Sequence, residues 1–370
     1  MMDRITQTAR TDAVVMAKNK STAHNHAVSQ EQRKSTSTAL LPLPAEIIRM
    51  IAKLLPENYA ACFTLCSRSM KEILGDQYLK AMKNPPHQTF NFLRKVEMNF
   101  VALLAKDLPQ HFACFECARI HRARTIKWPN NINDHLGCVQ CTRSRQNIYC
   151  LMFLSPFEIH FPQVYLAAKQ HRSGIDIGFP LEAFRHQEVT HDQSTNVTTL
   201  LSVDARFVSN ELLLRSQTWV LVPRSQKDRI IENIAHDRLS TRVCKHSARD
   251  SLEFMVSELV RSKSSLTRTV QCHHCWMDFG IRQKHCGEAG TAIIITRWIN
   301  LGAGLDPKDC KWQCHIGRKC LRHKQPLVNI QKAFEDQEGL SMEEFTSGNY
   351  EKLLSERRNQ PSNRGPDDVA

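Results

Sequence analysis

From Pro44 onward the apolar positions follow a helical period: Ile47, Ile51, Leu54 and Leu55 recur at i, i+4, i+7 and i+8 until Pro56 interrupts them. Pro44 suits a helix start, where its missing N–H has no intrahelical partner to lose. The pattern predicts a second short helix over Ala60 to Cys66 and a third over Ser69 to Leu74, stopped by Gly75. Ile48, Met50 and Phe63 lie off the main stripe, so this small unit carries apolar side chains on more than one side. Farther on, Phe92, Val96, Phe100, Leu103 and Leu104 predict an amphipathic helix ending before Pro109, and Pro162 to Arg172 predicts another closed by Gly174.

The period then shortens. Between Val189 and Val222 the stretches "NVTTLLSVDARF" and "ELLLRSQTWVLV" are rich in β-formers and predict three antiparallel strands. Helical spacing returns at Leu252 to Val260, and two more strands are predicted around Thr269–Ile281 and Thr291–Trp298. Beyond about Ala333 the chain turns polar and is expected to fray. The pattern predicts an α+β protein with a tail over 1–37, a helical module over 38–84, a cysteine-rich mixed domain over 90–332 and an acidic tail over 333–370.

Composition narrows the class. The 370 residues are 41% hydrophobic and 24% charged, which describes a globular chain of about two domains. No apolar run is long enough to span a membrane, and the first 37 residues lack the apolar stretch of a secretory signal. Fourteen cysteines without such a signal imply a reducing compartment, cytoplasmic or nuclear, where thiols bind metal or stay buried. The net charge of +13 is uneven: residues 111–150 hold six Lys/Arg against two acids, and 335–370 hold nine acids against four bases.

The cysteines themselves carry a spacing. Cys114-x2-Cys117 is followed after 20 residues by Cys138-x2-Cys141, which fits a four-thiolate zinc site. Two thiolates three positions apart on a tight turn can reach one ion, and a tetrahedral metal needs two such turns. His121 and His135 could each replace a thiolate, and Cys150 is left over. A second set, Cys244 and His246 with Cys272-x2-Cys275, predicts a Cys3His site. Cys310, Cys314, His315, Cys320 and His323 cluster without a standard spacing. A RING arrangement is disfavoured, because no cysteine precedes His135 within reach and Cys150 has no mate two residues on.

The stretch "LPLPAEIIRMIAKLLPENYAACFTLCSRSMKEIL" resembles an F-box, the motif by which substrate receptors of SCF ubiquitin ligases dock on an adaptor. The matching positions are Leu43, Pro44, Glu46, Ile47, Ile48, Ile51 and Leu55, then Cys62, Leu65, Cys66 and Ser69. The resemblance implies that Leu43, Pro44, Ile47, Ile48, Ile51 and Leu55 meet a Skp-type adaptor and, through it, a cullin ligase. The runs "FVALLAKDLPQHFACFECARIHR" and "CHHCWMDFGI" are similar to fungal F-box-domain proteins whose F-box leads into paired cysteines. No phosphate-cradling glycine loop, Gly-x-Ser-x-Gly elbow or His-Glu-x-x-His helix is present, and zinc sites with four protein ligands are structural, so the chain is read as a non-enzyme. The competing reading is a zinc-stabilised nucleic-acid binder using Arg119, Arg122, Arg124, Lys127, Arg143 and Arg145.

Overall fold

The β-forming stretches meet in one six-stranded antiparallel sheet, seen in a computed structural model that describes residues 43–83, 90–115, 117–129, 150–153, 157–193, 196–223, 269–272, 274–316 and 329–358. Its strands are β5 (His186–Asp192), β6 (Val197–Val208), β7 (Glu211–Val222), β8 (Val270–Gln271), β9 (Met277–His285) and β10 (Thr291–Asn300), in the order β5-β6-β7-β10-β9-β8. The β6–β7 hairpin closes on Ser209 and Asn210, both at positive φ (50° and 65°). That two-residue geometry matches the right-handed twist of the strands, and asparagine tolerates it well. The single strand expected over Thr269–Ile281 is two, β8 and β9, because the Cys272–Cys275 turn breaks it.

Side chains alternate across the sheet, so the central strands β6, β7 and β10 feed apolar residues to both faces. Leu201, Val203, Leu212, Leu214, Ile293 and Ile295 face the larger core. There they meet helix α6 (Phe161–Ser173) through Val164, Leu166 and Ala167, together with Phe179, Phe184 and Trp312 of α7 (Cys310–His315). Gly174 ends α6 in the left-handed conformation, as its place in the sequence predicts.

The opposite face holds the main departure from expectation. Residues 330–358 do not fray: α8 (Ile330–Glu335) and α9 (Met342–Arg358) lie on the sheet, burying Phe334 against Leu213 and Trp298 and Leu353 against Trp219 and Ile294, with Phe345 buried as well. Two sheet arginines make this possible. Arg206 donates to the carbonyls of Phe334, Gln337 and Leu340, and Arg215 donates to Glu335 at 2.9 Å and to Asp204 at 3.3 Å. Arg215 also stacks on Phe334 and Phe345. The acidic character read as solvation includes, at Glu335, the half-buried partner of the fully buried Arg215.

At the other end, α1 (Ala45–Leu54), α2 (Glu57–Leu65), α3 (Arg68–Leu74) and α4 (Gln77–Lys83) form the helical module, and α5 (Phe90–Asp107) joins it to the sheet domain. Three of these helices match the predicted ones, with α2 opening three residues earlier on Pro56; α4 is additional. Lys169 of α6 donates to the carbonyls of Ala105, Leu108 and His111, pinning the end of α5 and the start of the next hairpin to the body. The helix expected over Leu252–Val260 lies outside the described residues. Among the described residues no helix is long and apolar enough to cross a membrane.

Candidate docking face and metal centres

Helix α1 starts after Pro44, carries Glu46 in its first turn and Lys53 in its last, and so sets its charges favourably along the helix dipole. Its inner side is Ile48 and Ala52, which pack on Met70 and Leu74 of α3 to form the module's own core. Its outer side shows Ile47 (36% exposed), Met50 (54%) and Leu54 (86%), which repeat at i, i+3 and i+7. At 100° per residue those three share one line along the helix, about a quarter-turn or more from Ile48 and Ala52. Ile51, Leu55 and Leu43 are half-buried at the edge, and Pro44 is exposed.

This corrects one assignment. Ile48, expected at the partner interface, is 1% exposed and serves the module interior instead. The reason is geometric: the residue that turns toward α3 is the off-stripe isoleucine, while most of the regular stripe faces outward or along the rim. Met50 and Leu54, not named among the matched positions, carry most of the uncovered apolar surface. Tyr59 and Leu65 of α2 add further exposed apolar side chains to the module. Cys62 of α2 is half-buried, and burial first, then Cys66 and Asp107, pushes its thiol up to about 11.

The first cysteine pair sits on the hairpin of β1 (His111–Cys114) and β2 (Arg119–Arg122). Ala118 takes a positive φ of 55° directly after Cys117, and its amide returns to the Cys114 carbonyl at 2.9 Å. This tight turn brings both thiols to the same side. His121 then comes back along β2, stacked on Phe112, and its Nε2 lies 3.0 Å from Cys117 Sγ. The three donor atoms of Cys114, Cys117 and His121 lie within 4.8 Å of one another and could hold a metal ion. Burial, and then Arg119, pushes the His121 pKa down, favouring the neutral imidazole that binds metal. Cys138, Cys141 and His135 lie outside the described residues.

Cys272 and Cys275 pack into the larger core, and among the described residues they join no group of three metal-competent donors. Both thiols are buried, the Cys272 amide donates to the Met277 carbonyl at 2.9 Å, and the His274 amide points at Cys272 Sγ at 3.4 Å. Cys244 and His246 lie outside the described residues. Cys310 and Cys314 stand on α7, where Cys314 donates to the Lys311 carbonyl and His315 Nε2 lies 3.1 Å from the Asn300 carbonyl. Among the described residues they join no metal-competent group, and Cys320 and His323 lie outside.

A further cluster escaped the sequence reading. Cys150, left over by spacing, opens β3 (Cys150–Met152) and stands across from His160 of β4 (Glu158–His160). With Glu158 it forms a second group of three donors within 4.8 Å of one another. The i, i+2 spacing of Glu158 and His160 was the available signal, because alternate strand residues share a face. Its cross-strand half cannot be read from spacing.

No family model matches this chain, and comparison with curated proteins and with solved structures finds no significant match.

Proposed function

We propose that residues 43–83 dock on a Skp-type adaptor through the outer face of α1, and that the sheet domain presents a target protein to the ligase assembled there. The chain's contribution is proximity rather than chemistry of its own. One observation carries this reading: α1 completes the module core with Ile48 and Ala52 and still leaves Ile47, Met50 and Leu54 uncovered. An uncovered apolar row on a small helical unit is the usual mark of an interaction face. Zinc at Cys114, Cys117 and His121 acts in this account as a hairpin staple, adding folding free energy to a segment with short strands. The test is co-purification of the full chain with a Skp-type adaptor, comparing the wild type with Ile47→Asp/Leu54→Asp. Both positions are solvent-facing, so the variant folds normally and loses the adaptor; capture at wild-type level contradicts the proposal.

The nucleic-acid reading retains one supporting observation. Arg119, Arg122 and Arg124 are exposed on β2 and the turn after it, near the exposed Trp128; Arg143 and Arg145 lie outside the described residues. It requires retention on DNA or RNA that falls steeply with salt. Loss of adaptor capture together with such retention would favour it.

A further inference from the structure

The β3–β4 hairpin presents a thiol, a carboxylate and an imidazole to one point. Cys150 and His160 are direct cross-strand partners, and Glu158 shares the face of His160 two residues away. Cys150 and His160 are buried, and Glu158 is partly so. The His160 side chain is 4% exposed, and its Nε2 has no hydrogen-bond partner among the described residues. The neighbouring Glu158 carboxylate offsets only part of the solvation that this buried nitrogen loses.

The spacing around that nitrogen is informative. Nε2 stands 3.4 Å from Glu158 Oε2. The His186–Glu188 pair, at the same i, i+2 spacing on β5, stands at 3.3 Å, so such a separation is open to an ion pair. It is equally the separation of two ligands at about 2.0–2.2 Å from a tetrahedral zinc, which stand about 3.3–3.5 Å apart. A nucleophile relay is excluded by the same measure. In such a relay thiol and carboxylate hold opposite ring nitrogens, roughly 7 Å from each other, whereas here all three donors lie within 4.8 Å.

We propose that Cys150, Glu158 and His160 form a metal site for a zinc-like, late first-row divalent cation, separate from the paired-cysteine loops. The thiolate and imidazole select against magnesium and calcium. Among the described residues the cluster offers three protein donors, one short of a tetrahedral set. The support behind the ring is rigid: His160 precedes α6, its amide donates to Gln163 Oε1 at 2.7 Å, and the buried Gln163 side chain reaches the Lys127 carbonyl at 2.8 Å.

The test uses the full chain loaded with Zn2+ alone, or with Co2+ as a spectroscopic probe, and measures bound metal per chain and affinity. His160→Gln lowers bound metal by about one ion per chain, additively with Cys117→Ser, because the two clusters are separate sites. Glu158→Gln, at a partly exposed position that keeps the fold, weakens one class of site by more than about tenfold, the loss that removing even an outer-shell partner can bring. It also shifts the visible cobalt bands. Wild-type metal content and affinity in both His160→Gln and Glu158→Gln would overturn the site and leave an ion pair only. Should His160→Gln fail to fold, Glu158→Gln decides alone. Adaptor capture is unchanged in Glu158→Gln, so this outcome is independent of the docking face.

Discussion

Helices α1 and α9 reverse what their composition leads one to expect. The first is the more apolar of the two, yet Leu54 is 86% exposed; the second is rich in acids and polar residues, yet Leu353 is fully buried. The difference lies in what faces each helix. The sheet offers α9 a shelf of Trp219, Leu221 and Ile294 beside the polar contacts of Gln217 with Thr346 and Asn349. A few well-placed anchors then suffice, and the acids that would oppose burial either stay at the surface or, as Glu335 of α8 does, meet Arg215 and the Trp298 indole N–H. Helix α1 meets α3 and, more lightly, α2 on one side, and among the described residues nothing covers Leu54 on the other. Burial follows the neighbours available, and hydropathy alone does not assign it.

The largest effect is expected where the polar anchoring is deepest. Arg215→Ala leaves Glu335 and Asp204 facing a vacated, solvent-free position and lowers unfolding free energy by about 3–5 kcal/mol, measured by denaturant titration. Limited proteolysis then releases the segment after α8, since Arg215 also holds the Leu340 carbonyl. A loss below about 1 kcal/mol would make this network a surface feature and break the contrast drawn above. Next comes one substitution in two places. Leu353→Ala opens a cavity and costs about 2–5 kcal/mol, while Leu54→Ala changes stability by no more than about 0.5 kcal/mol. Equal costs would mean that α1 is as covered as α9.

A smaller effect concerns pH. Asp278 of β9 accepts the Gln331 amide at the start of α8, and burial pushes its carboxyl above the ordinary carboxylate range. A raised folded value means that the folded chain binds the extra proton. Stability from this group is therefore complete below the unfolded value and is lost as pH rises through the folded one. Asp278→Asn removes that part of the pH slope in denaturant midpoints measured across the acid range; an unchanged slope would show that Asp278 is not its source.

Much of the frame was legible because it rests on local signals. Gly174 and Pro162 mark α6, Pro44 and Pro56 bracket α1, and runs of β-formers mark β6 and β7 as strands. What stayed illegible depends on contacts distant in sequence. The tie from Arg206 and Arg215 to the segment after Phe334 spans more than a hundred residues, so the polar C-terminal stretch reads as solvated. The same holds for the site chemistry. The Cys114–Cys117 spacing announces a ligand loop and keeps His121 in view, but only the β3–β4 register sets Cys150 against His160. Which side of α1 turns inward was also undetermined, because Ile47, Ile48 and Ile51 are equally apolar and only the position of α3 chooses among them.

The central claim is that the outer side of α1 receives another polypeptide, and a thiol placed at position 54 reports on it directly. Leu54→Cys reacts freely with an alkylating reagent in the isolated chain, followed site by site by peptide mass spectrometry; Cys62, with its thiol pushed up to about 11, contributes little background at neutral pH. Addition of a Skp-type adaptor is expected to slow alkylation at position 54 by more than about tenfold, the change that a face occupied about nine-tenths of the time produces. An adaptor complex that forms stably while position 54 reacts at its free rate would contradict the account.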